Sequence, residues 1–298
     1  MDKKIKILIL GTRGFLGQSL LQYFHENKFY DVVFVQSFID NDKKFKSFKF
    51  ISHKEFISNS HDNFLKLFKP NIIINLFGQI DIKHDLESCK VQHYEFVKLI
   101  LKKKINYDLF IQTGSSAEYS EGDHKKNEDE VCIPNNFYGK YKFKSTIFLK
   151  KYSYFYRKNI VVLRPFLIFG PNQRPPRLIP YLINCFKYNQ QINIQSSKSK
   201  INLLYISDFI QLMEKIIFSK IEGFEIFNVG GDIDCTIEDI IDAIIKIKQI
   251  NINNLTINNH GEKTISLPNI NKVKNSFNWY PKITLFDALK KIILKYNG

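Results

Sequence analysis

Short apolar runs alternate with longer amphipathic stretches through the first half of the chain. The runs carry mostly Ile, Val, Leu and Phe with no polar face, which is typical of strands buried on both sides. They predict five strands, at residues 5–10, 32–35, 71–77, 108–114 and 160–166. Helical spacing of apolar residues predicts three helices between them, at residues 15–27, 85–103 and 137–157. This alternation predicts an α/β fold with a doubly wound parallel sheet, whose ligands lie at the carboxyl ends of the strands.

The alternation breaks after about residue 165. The segment "GPNQRPPRLIP" (170–180) contains four prolines and is therefore predicted to be irregular. Beyond it the pattern predicts two strands, at 201–206 and 224–230, and three helices, at 178–189, 236–248 and 284–296. We expect one domain from residues 1–165 with about 201–232, and a smaller, mainly C-terminal domain from about 166–200 with 233–298.

The composition is that of an ordinary globular chain, with 44% hydrophobic residues among 298. No uncharged apolar run approaches the roughly 18 residues of a membrane span. The run at 5–10 is too short for a signal peptide and leads into a glycine turn. The cysteines lack the spacing of metal ligands and stand at Cys89, Cys132, Cys185 and Cys235. We expect a cytoplasmic protein with reduced cysteines, no metal site and no membrane partner.

The net charge of +15 raises the question of nucleic-acid binding. The excess is Lys rather than Arg, and it accompanies a chain-wide richness in Ile, Asn, Phe and Tyr. No helix-turn-helix, zinc-finger or RNA-recognition signature is present in the sequence. We therefore expect no nucleic-acid partner, and note that a positive field also favours a small anionic ligand.

A glycine-rich loop follows the first predicted strand and opens the first helix. Gly11-x-x-Gly14-x-x-Gly17 has the strand before it and the helix after it that a pyrophosphate-binding loop requires. Free N–H groups and the positive end of the helix dipole would face the phosphates. The sequence predicts a dinucleotide site formed by Gly11, Arg13, Gly14, Phe15, Leu16 and Gly17.

The end of the second strand bears on the choice of dinucleotide. An acid there would hydrogen-bond the 2′-hydroxyl of NAD, but this strand ends in Gln36 and Ser37. Without a carboxylate, a 2′-phosphate is not repelled, and Arg13, Lys43 and Lys44 can attract one. The sequence therefore favours NADP(H), with NAD(H) as the alternative.

Tyr and Lys four residues apart share one face of a helix, but the spacing alone is weak. With 15 Tyr and 44 basic residues, five of them Arg, roughly two such pairs are expected by chance. Three occur, and only Tyr138/Lys142 stands in a suggestive context, some twenty residues after "GSSAEY". Tyr94/Lys98 and Tyr154/Lys158 are interpreted as helix surface.

The motifs taken together resemble the extended short-chain dehydrogenase/reductase family of nucleotide-sugar epimerases, dehydratases and ketoreductases. They appear in family order as "GTRGFLG", "GSSAEY", "PNNFYGKYK", "LRPFLIFGP", "FNVGG" and "FNWYP". The resemblance implies that the first domain is a Rossmann-like dinucleotide-binding domain and that the second binds a nucleotide-diphosphate sugar. It also implies a homodimer formed by the helices at 85–103 and 137–157.

The resemblance assigns the chemistry to three side chains. Tyr138 would be the general acid/base on the sugar oxygen next to the carbon that exchanges hydride. An unperturbed Tyr has a pKa near 10, so Lys142 one turn away would stabilise the phenolate. Ser115, four residues before Tyr119, would hydrogen-bond the same oxygen. Further dinucleotide contacts are implied for Leu76, Phe77, Gly78 and Pro165, and for Tyr138 and Lys142 themselves.

The reaction within the family is the least determined point. Dehydratases of the family carry a carboxylate two residues before the Tyr at position 119, where this chain has Ala117. Glu118 is one residue away, which on a strand would face the other side. The sequence favours an NAD(P)H-dependent reductase of a GDP-, CDP- or dTDP-linked 4-keto-6-deoxy sugar for surface-polysaccharide synthesis, with a nucleotide-sugar 4-epimerase retaining NAD as the alternative. A non-catalytic dinucleotide-binding regulator would not need the three catalytic residues together.

Several positions depart from the family pattern. His93 stands where the family has an Asn that organises the site, Leu167 replaces another Asn, and Ile201 replaces an Arg. The usual diphosphate contacts are thus rebuilt or weakened. The substrate contacts that we expect are Ser116, Ala117, Leu167, Arg174, Arg177, Leu178, Lys200 and His260.

Overall fold

A computed structural model of the chain describes residues 4–37, 45, 47–78, 85–122, 124–194, 196–232, 234–249, 257–259 and 266–296. Within it the chain forms two compact units. The first contains Met1–Ser120, Val131–Arg164 and Glu214–Phe227. The second contains Glu121–Glu130, Pro165–Met213 and Asn228–Gly298.

The described residues form fourteen strands and eleven α-helices. The strands are β1 (Ile5–Leu10), β2 (Tyr30–Gln36), β3 (Lys49–Ser52), β4 (Ile72–Asn75), β5 (Leu109–Thr113), β6 (Lys125–Lys126), β7 (Ile160–Pro165), β8 (Leu167–Phe169), β9 (Ile192–Ile194), β10 (Lys200–Tyr205), β11 (Phe224–Val229), β12 (Asp234–Thr236), β13 (Ile257–Asn259) and β14 (Leu267–Pro268). The helices are α1 (Phe15–Glu26), α2 (His53–Ile57), α3 (Asp62–Phe68), α4 (Leu86–Lys90), α5 (Phe96–Lys102), α6 (Phe137–Tyr156), α7 (Leu178–Tyr188), α8 (Ile206–Ile217), α9 (Ile237–Lys248), α10 (Asn271–Phe277) and α11 (Leu285–Tyr296).

A seven-stranded sheet dominates the fold, in the order β3-β2-β1-β4-β5-β7-β11. The pairings from β3 through β7 are all parallel. The strand order reverses between β1 and β4, so the chain leaves these two neighbouring strands on opposite faces. Such a switch point opens a crevice at the carboxyl ends of the strands. The predicted doubly wound, Rossmann-like α/β fold is confirmed.

The strands are apolar on both faces because helices cover both sides of the sheet. Leu8, Leu10, Val33, Ile73 and Phe110 are all 2% exposed or less and belong to one cluster. Helix α5 contributes Phe96, Val97, Ile100 and Leu101 to the same cluster. Burial of these side chains supplies the main stabilisation of the unit, at about 1.5–3 kcal/mol for each large side chain.

The second unit is built from short strands and the later helices. Strand β10 pairs parallel with β8 and antiparallel with β12. The pairs β9/β13 and β6/β14 are parallel and two-stranded. Helix α9 begins in a capping box in which Thr236 and Asp239 satisfy each other's backbone N–H groups. The Trp279 indole donates a 3.1 Å hydrogen bond to the carbonyl of Asp208.

All seven predicted strands and all six predicted helices are present, with ends displaced by up to two residues. The helix expected at 85–103 contains a π-helical turn at Val91–Glu95, between α4 and α5. The short elements were not predicted, because their apolar runs are brief or merge with a neighbouring strand; they are β3, β6, β8, β9, β12, β13, β14, α2, α3 and α10. The longer helix α8 was not predicted either. Residues 201–213 lie in the second unit rather than with the large sheet, since β10 pairs with β8 and β12.

No helix within the described ranges is long and apolar enough to cross a membrane.

Candidate active site

The glycine loop lies at the switch point between β1 and β4. Helix α1 begins without a side-chain cap, because its N-cap residue is Gly14. A Cβ at Gly14 would approach only the Gly11 carbonyl, at 3.8 Å, so the space beside it is open. A Cβ at Gly17 would lie 2.5 Å from the Cα of Thr12, so this glycine lets α1 pack on the loop. An open cradle with free helix N–H groups fits a pyrophosphate.

Gln36 closes the second strand and is 3% exposed. Its Oε1 accepts a 3.0 Å hydrogen bond from the Thr12 hydroxyl, so the amide is fixed from the loop side. Its Nε2 is buried and has no hydrogen-bond partner among the described residues. A free donor at this edge suits a ribose oxygen, which supports the fit of a dinucleotide. Lys43 and Lys44 lie outside the described residues, while Arg13 and Ser37 are exposed.

The predicted contacts Leu76, Phe77 and Gly78 directly follow β4. Asn75 shapes this segment, because its Oδ1 accepts a 3.1 Å hydrogen bond from the N–H of Phe77. The Phe77 ring stacks on His53, with centroids 4.5 Å apart. Burial lowers the pKa of His53, which favours the neutral imidazole. His53 was not predicted, because it follows a short, unpredicted strand and belongs to no motif.

Lys142 is fixed at the carboxyl end of β5. Its side chain is 4% exposed, and Nζ donates a 2.7 Å hydrogen bond to the carbonyl of Thr113. Burial lowers the pKa of Lys142 to about 8, against the opposing effect of the Glu118 charge. A main-chain acceptor leaves no sequence signal, so Thr113 was not predicted.

Tyr138 lies in the first turn of α6. The side chain of Asn136 caps this helix and accepts a hydrogen bond from the N–H of Gly139. It is half-buried, and Nζ of Lys142 lies 5.8 Å from its ring centroid. The His93 ring meets it edge-on, with centroids 4.9 Å apart. Helix α6 therefore presents Tyr138 and Lys142 on one face, with His93 beside the phenol.

His93 belongs to the π-helical turn, in which the N–H of Phe96 donates to the carbonyl of Val91 five residues earlier. The side chain is 2% exposed. The Ser145 hydroxyl donates to the His93 carbonyl, which ties this turn to α6. The sequence identified His93 as unusual, but not the turn that carries it.

Ser115 stands just after β5 and caps a 3₁₀ turn at Ser116–Glu118. Its hydroxyl accepts a 3.1 Å hydrogen bond from the N–H of Ala117. The interpretation of Glu118 as a residue on a strand is wrong, because residues 116–118 form this turn. The Glu118 carboxylate is fully buried and bonded to Arg164 at 3.0 Å, so it faces the protein interior. Ser116 and Ala117 are partly exposed.

The remaining predicted residues are in the second unit. Pro165 ends β7, and Leu167 begins β8 with its side chain exposed. Arg174 and Arg177 are both exposed, and Leu178 starts α7 just after them. Lys200 is exposed at the start of β10. His260 lies outside the described residues.

The chain is similar to proteins of one known family. The profile of the NAD dependent epimerase/dehydratase family matches residues 7–230. A dTDP-D-glucose 4,6-dehydratase of Dictyostelium discoideum is 26% identical over 269 residues, covering 81% of this chain and 62% of the relative, less than two thirds of its length. A UDP-glucuronate 4-epimerase of Thermodesulfobacterium geofontis is 23% identical over 306 residues, covering 96% of this chain and 94% of the relative.

Solved structures agree on the fold. The UDP-glucuronic acid 4-epimerase from Bacillus cereus, in complex with UDP-glucuronic acid and NAD, superposes with a TM-score of 0.86. Identity is 24%, and the alignment covers 98% of this chain and 100% of that one. The predicted family and enzyme class are confirmed: the chain belongs to the NAD dependent epimerase/dehydratase family, whose members are enzymes of the oxidoreductase type.

Proposed function

We propose that this protein is a nucleotide-sugar 4-epimerase that retains NAD between turnovers. The observation that carries the proposal is the placement of Lys142, buried on the face of α6 that carries Tyr138 and bonded to Thr113 at the end of β5. A non-catalytic dinucleotide-binding protein has no need of a buried ammonium there. NAD, when bound, supplies the acceptor and donor of the hydride at the sugar carbon.

The residues of the first unit have distinct roles in the proposed reaction. Tyr138 removes the proton from the 4-hydroxyl as the hydride leaves and returns it when the hydride comes back. Lys142 stabilises the phenolate by its charge and by its fixed position. Ser115, held by the 3₁₀ turn, hydrogen-bonds the same sugar oxygen. His93, packed on Tyr138, limits the orientations of the phenol ring.

A 4,6-dehydratase is disfavoured, although four relatives carry that name. Elimination of water needs a further acid/base next to the sugar. Ala117 occupies the position where the family's dehydratases carry this group, and the carboxylate of Glu118 is taken up by Arg164, Thr146 and the Ser115 N–H. Neither residue can move the proton.

A 4-ketoreductase was the function that the sequence favoured. The relatives support the epimerase better, because a UDP-glucuronate 4-epimerase matches 96% of this chain and an epimerase structure matches its fold along 98%. We therefore place the epimerase first and expect a UDP- or dTDP-linked hexose or hexuronic acid as substrate.

The proposed cofactor is NAD(H). The B. cereus epimerase binds NAD, and the free Nε2 of Gln36 offers the ribose a donor in place of the usual carboxylate. The predicted preference for NADP(H) gains no support from the relatives. In the second unit, we propose Arg174 and Arg177 as ligands of the diphosphate, since guanidinium groups bind phosphate oxygens in pairs.

We also propose a homodimer and a cytoplasmic setting. Val91 and Ile147 are exposed apolar residues on the helical segments expected to form the dimer. The sequence has only four cysteines, scattered along the chain without the spacing of metal ligands, which supports a reducing compartment. Light scattering coupled to size-exclusion chromatography tests the dimer, and V91D with I147D should yield monomers.

The activity is tested by incubating the purified protein with NAD and a panel of UDP- and dTDP-linked hexoses and hexuronic acids. Chromatography of the products should show interconversion of one 4-epimer pair, with no net change in absorbance at 340 nm. Net oxidation of NADH or NADPH with a 4-keto-6-deoxy sugar would instead support the reductase. A bound cofactor with no turnover of any sugar contradicts both enzymes.

A further inference from the structure

The carboxylate of Glu118 is buried and fully engaged, although the residue follows the predicted Ser115 by only three positions. Its Oε1 accepts a 2.9 Å hydrogen bond from the N–H of Ser115. Its Oε2 accepts from the Thr146 hydroxyl at 2.8 Å and from Nε of Arg164 at 3.0 Å. One side chain thus connects the 3₁₀ turn, helix α6 and strand β7.

Arg164 holds the other side of this network. Its Nη1 donates a 2.8 Å hydrogen bond to the Tyr119 hydroxyl, and its guanidinium lies 4.6 Å from the centroid of the Tyr119 ring. The guanidinium is therefore fixed from two directions, and the carboxylate of Glu118 cannot rotate towards the surface.

Such a pair is not explained by stability alone. Burying two charges costs several kcal/mol in desolvation, and apolar residues of similar size are often as stabilising or more so. Glu118 instead interacts with two residues of the candidate site. It bonds directly to the backbone of Ser115, and its negative charge favours the ammonium of the buried Lys142.

We propose that Glu118 is a positioning residue, which sets the orientation of Ser115 and sustains the positive charge of Lys142 without touching the substrate. This inference rests on the proposed roles of Ser115 and Lys142. Among the described residues, the titratable groups next to Lys142 are Tyr138 on its own helix and Glu118 on the 3₁₀ turn. His93 packs on Tyr138, and Arg164 on β7 is paired with Glu118.

The test separates charge from shape. Glu118→Gln keeps an acceptor for Ser115 and removes the charge, whereas Glu118→Asp keeps the charge and shortens the reach. Protein labelled with ¹⁵N-lysine allows the Nζ signal of Lys142 to be titrated. This signal is assigned as the one that is missing from the spectrum of Lys142→Met. No substrate or cofactor is needed for this measurement.

In E118Q the Lys142 titration should move to lower pH by about one pH unit. The alkaline limb of kcat/KM should move with it, because the ammonium is lost earlier. In E118D the titration should stay near that of the wild type, while kcat falls because Ser115 loses its bond. A purely structural Glu118 would lower activity equally at every pH.

A matched control is available in the same unit. Asp62 forms a 2.9 Å ion pair with the buried Lys103 on other elements. D62N removes a charge from a comparable pair and should leave the Lys142 titration unchanged. Should E118Q fail to fold, the double variant E118Q/R164M removes both charges together. Its Lys142 titration should still move to lower pH, but by less than in E118Q, because loss of the Arg164 charge acts in the opposite direction.

An identical Lys142 titration in the wild type and in E118Q, or in the double variant, overturns the inference. A wild-type protein inactive on every sugar contradicts the proposed function, whereas the ¹⁵N titration still decides the role of the Glu118 charge.

Discussion

The ammonium of Lys142 donates a 2.7 Å hydrogen bond to the main-chain carbonyl of Thr113, the last residue of β5. This bond joins helix α6 to the carboxyl edge of the sheet and fixes the face of α6 that carries Tyr138. Because Lys142 is 4% exposed, its ammonium group contacts a main-chain carbonyl in place of water and lies near the charge of Glu118. The site thus keeps a charge where the fold alone would favour an apolar side chain.

Tyr138→Phe should lower kcat by roughly 10²–10⁴-fold, because the proton on the sugar oxygen loses its acid/base. Binding of NAD should change by only a few-fold, since the glycine loop is untouched. Tyr154→Phe is the matched control, because Tyr154 on α6 also stands four residues before a lysine but is 81% exposed. Y138F with more than a tenth of wild-type kcat would remove Tyr138 from the mechanism.

Lys142→Met should change how stability depends on pH. The pKa of Lys142 falls from 10.5 to about 8 on folding, so between these values the unfolded chain holds a proton that the folded chain has released. The free energy of unfolding of the wild type should therefore increase by about 3 kcal/mol relative to that of K142M between about pH 8 and about pH 10.5.

Below pH 8 the buried charge destabilises the wild type, and K142M should be the more stable protein. The loss of the bond to Thr113 should reduce this advantage by about 1 kcal/mol. Denaturant unfolding at several pH values measures this. Lys140→Met, at an exposed position of α6, should run parallel to the wild type. A constant difference between wild type and K142M from pH 7 to 10.5 would show that burial does not perturb the lysine.

Gly14→Ala and Gly17→Ala should separate binding from folding. Alanine at Gly14 meets nothing closer than 3.8 Å and keeps an ordinary φ of −69°, so stability should fall by no more than about 1 kcal/mol, the cost of alanine at an N-cap. Its methyl group would enter the pyrophosphate cradle, and the Kd for NAD measured by calorimetry should rise at least tenfold. Alanine at Gly17 would clash with Thr12 and should cost about 2 kcal/mol in thermal unfolding. Unchanged NAD binding by G14A would place the dinucleotide elsewhere.

Gln36→Glu should make the protein discriminate more strongly against NADP. A carboxylate at the end of β2 repels the 2′-phosphate and can accept from the 2′-hydroxyl of NAD. The ratio of the Kd for NADP to that for NAD should rise at least tenfold relative to the wild type, with Thr12 still able to donate to position 36. An equal loss of both dinucleotides would mean that residue 36 does not face the ribose.

Much of this architecture was accessible from the sequence. An uninterrupted apolar run such as 32–35 predicted burial on both faces, and the glycine loop predicted which end of the sheet carries the candidate site. Tyr138 was singled out by its context, not by its spacing to Lys142.

The missed features depend on tertiary contacts. The π-helical turn around His93 and the 3₁₀ turn that buries Glu118 each change where a side chain points, and neither has a compositional signal. The sequence pattern predicts only that Arg164 lies in an apolar strand, and its ion pair with Glu118 becomes visible in the fold. The choice between epimerase and reductase likewise depends on relatives rather than on residues.

The most direct test of the account follows the hydrogen at C4. A UDP- or dTDP-linked sugar deuterated at C4 is incubated in ordinary water with the protein and NAD, and the product is analysed by NMR and mass spectrometry. A 4-epimerase should yield a 4-epimer that retains the deuterium at C4, with no net reduction of NAD. Loss of the deuterium to solvent during epimerisation, or conversion only with stoichiometric consumption of NADH or NADPH, would contradict the proposed function.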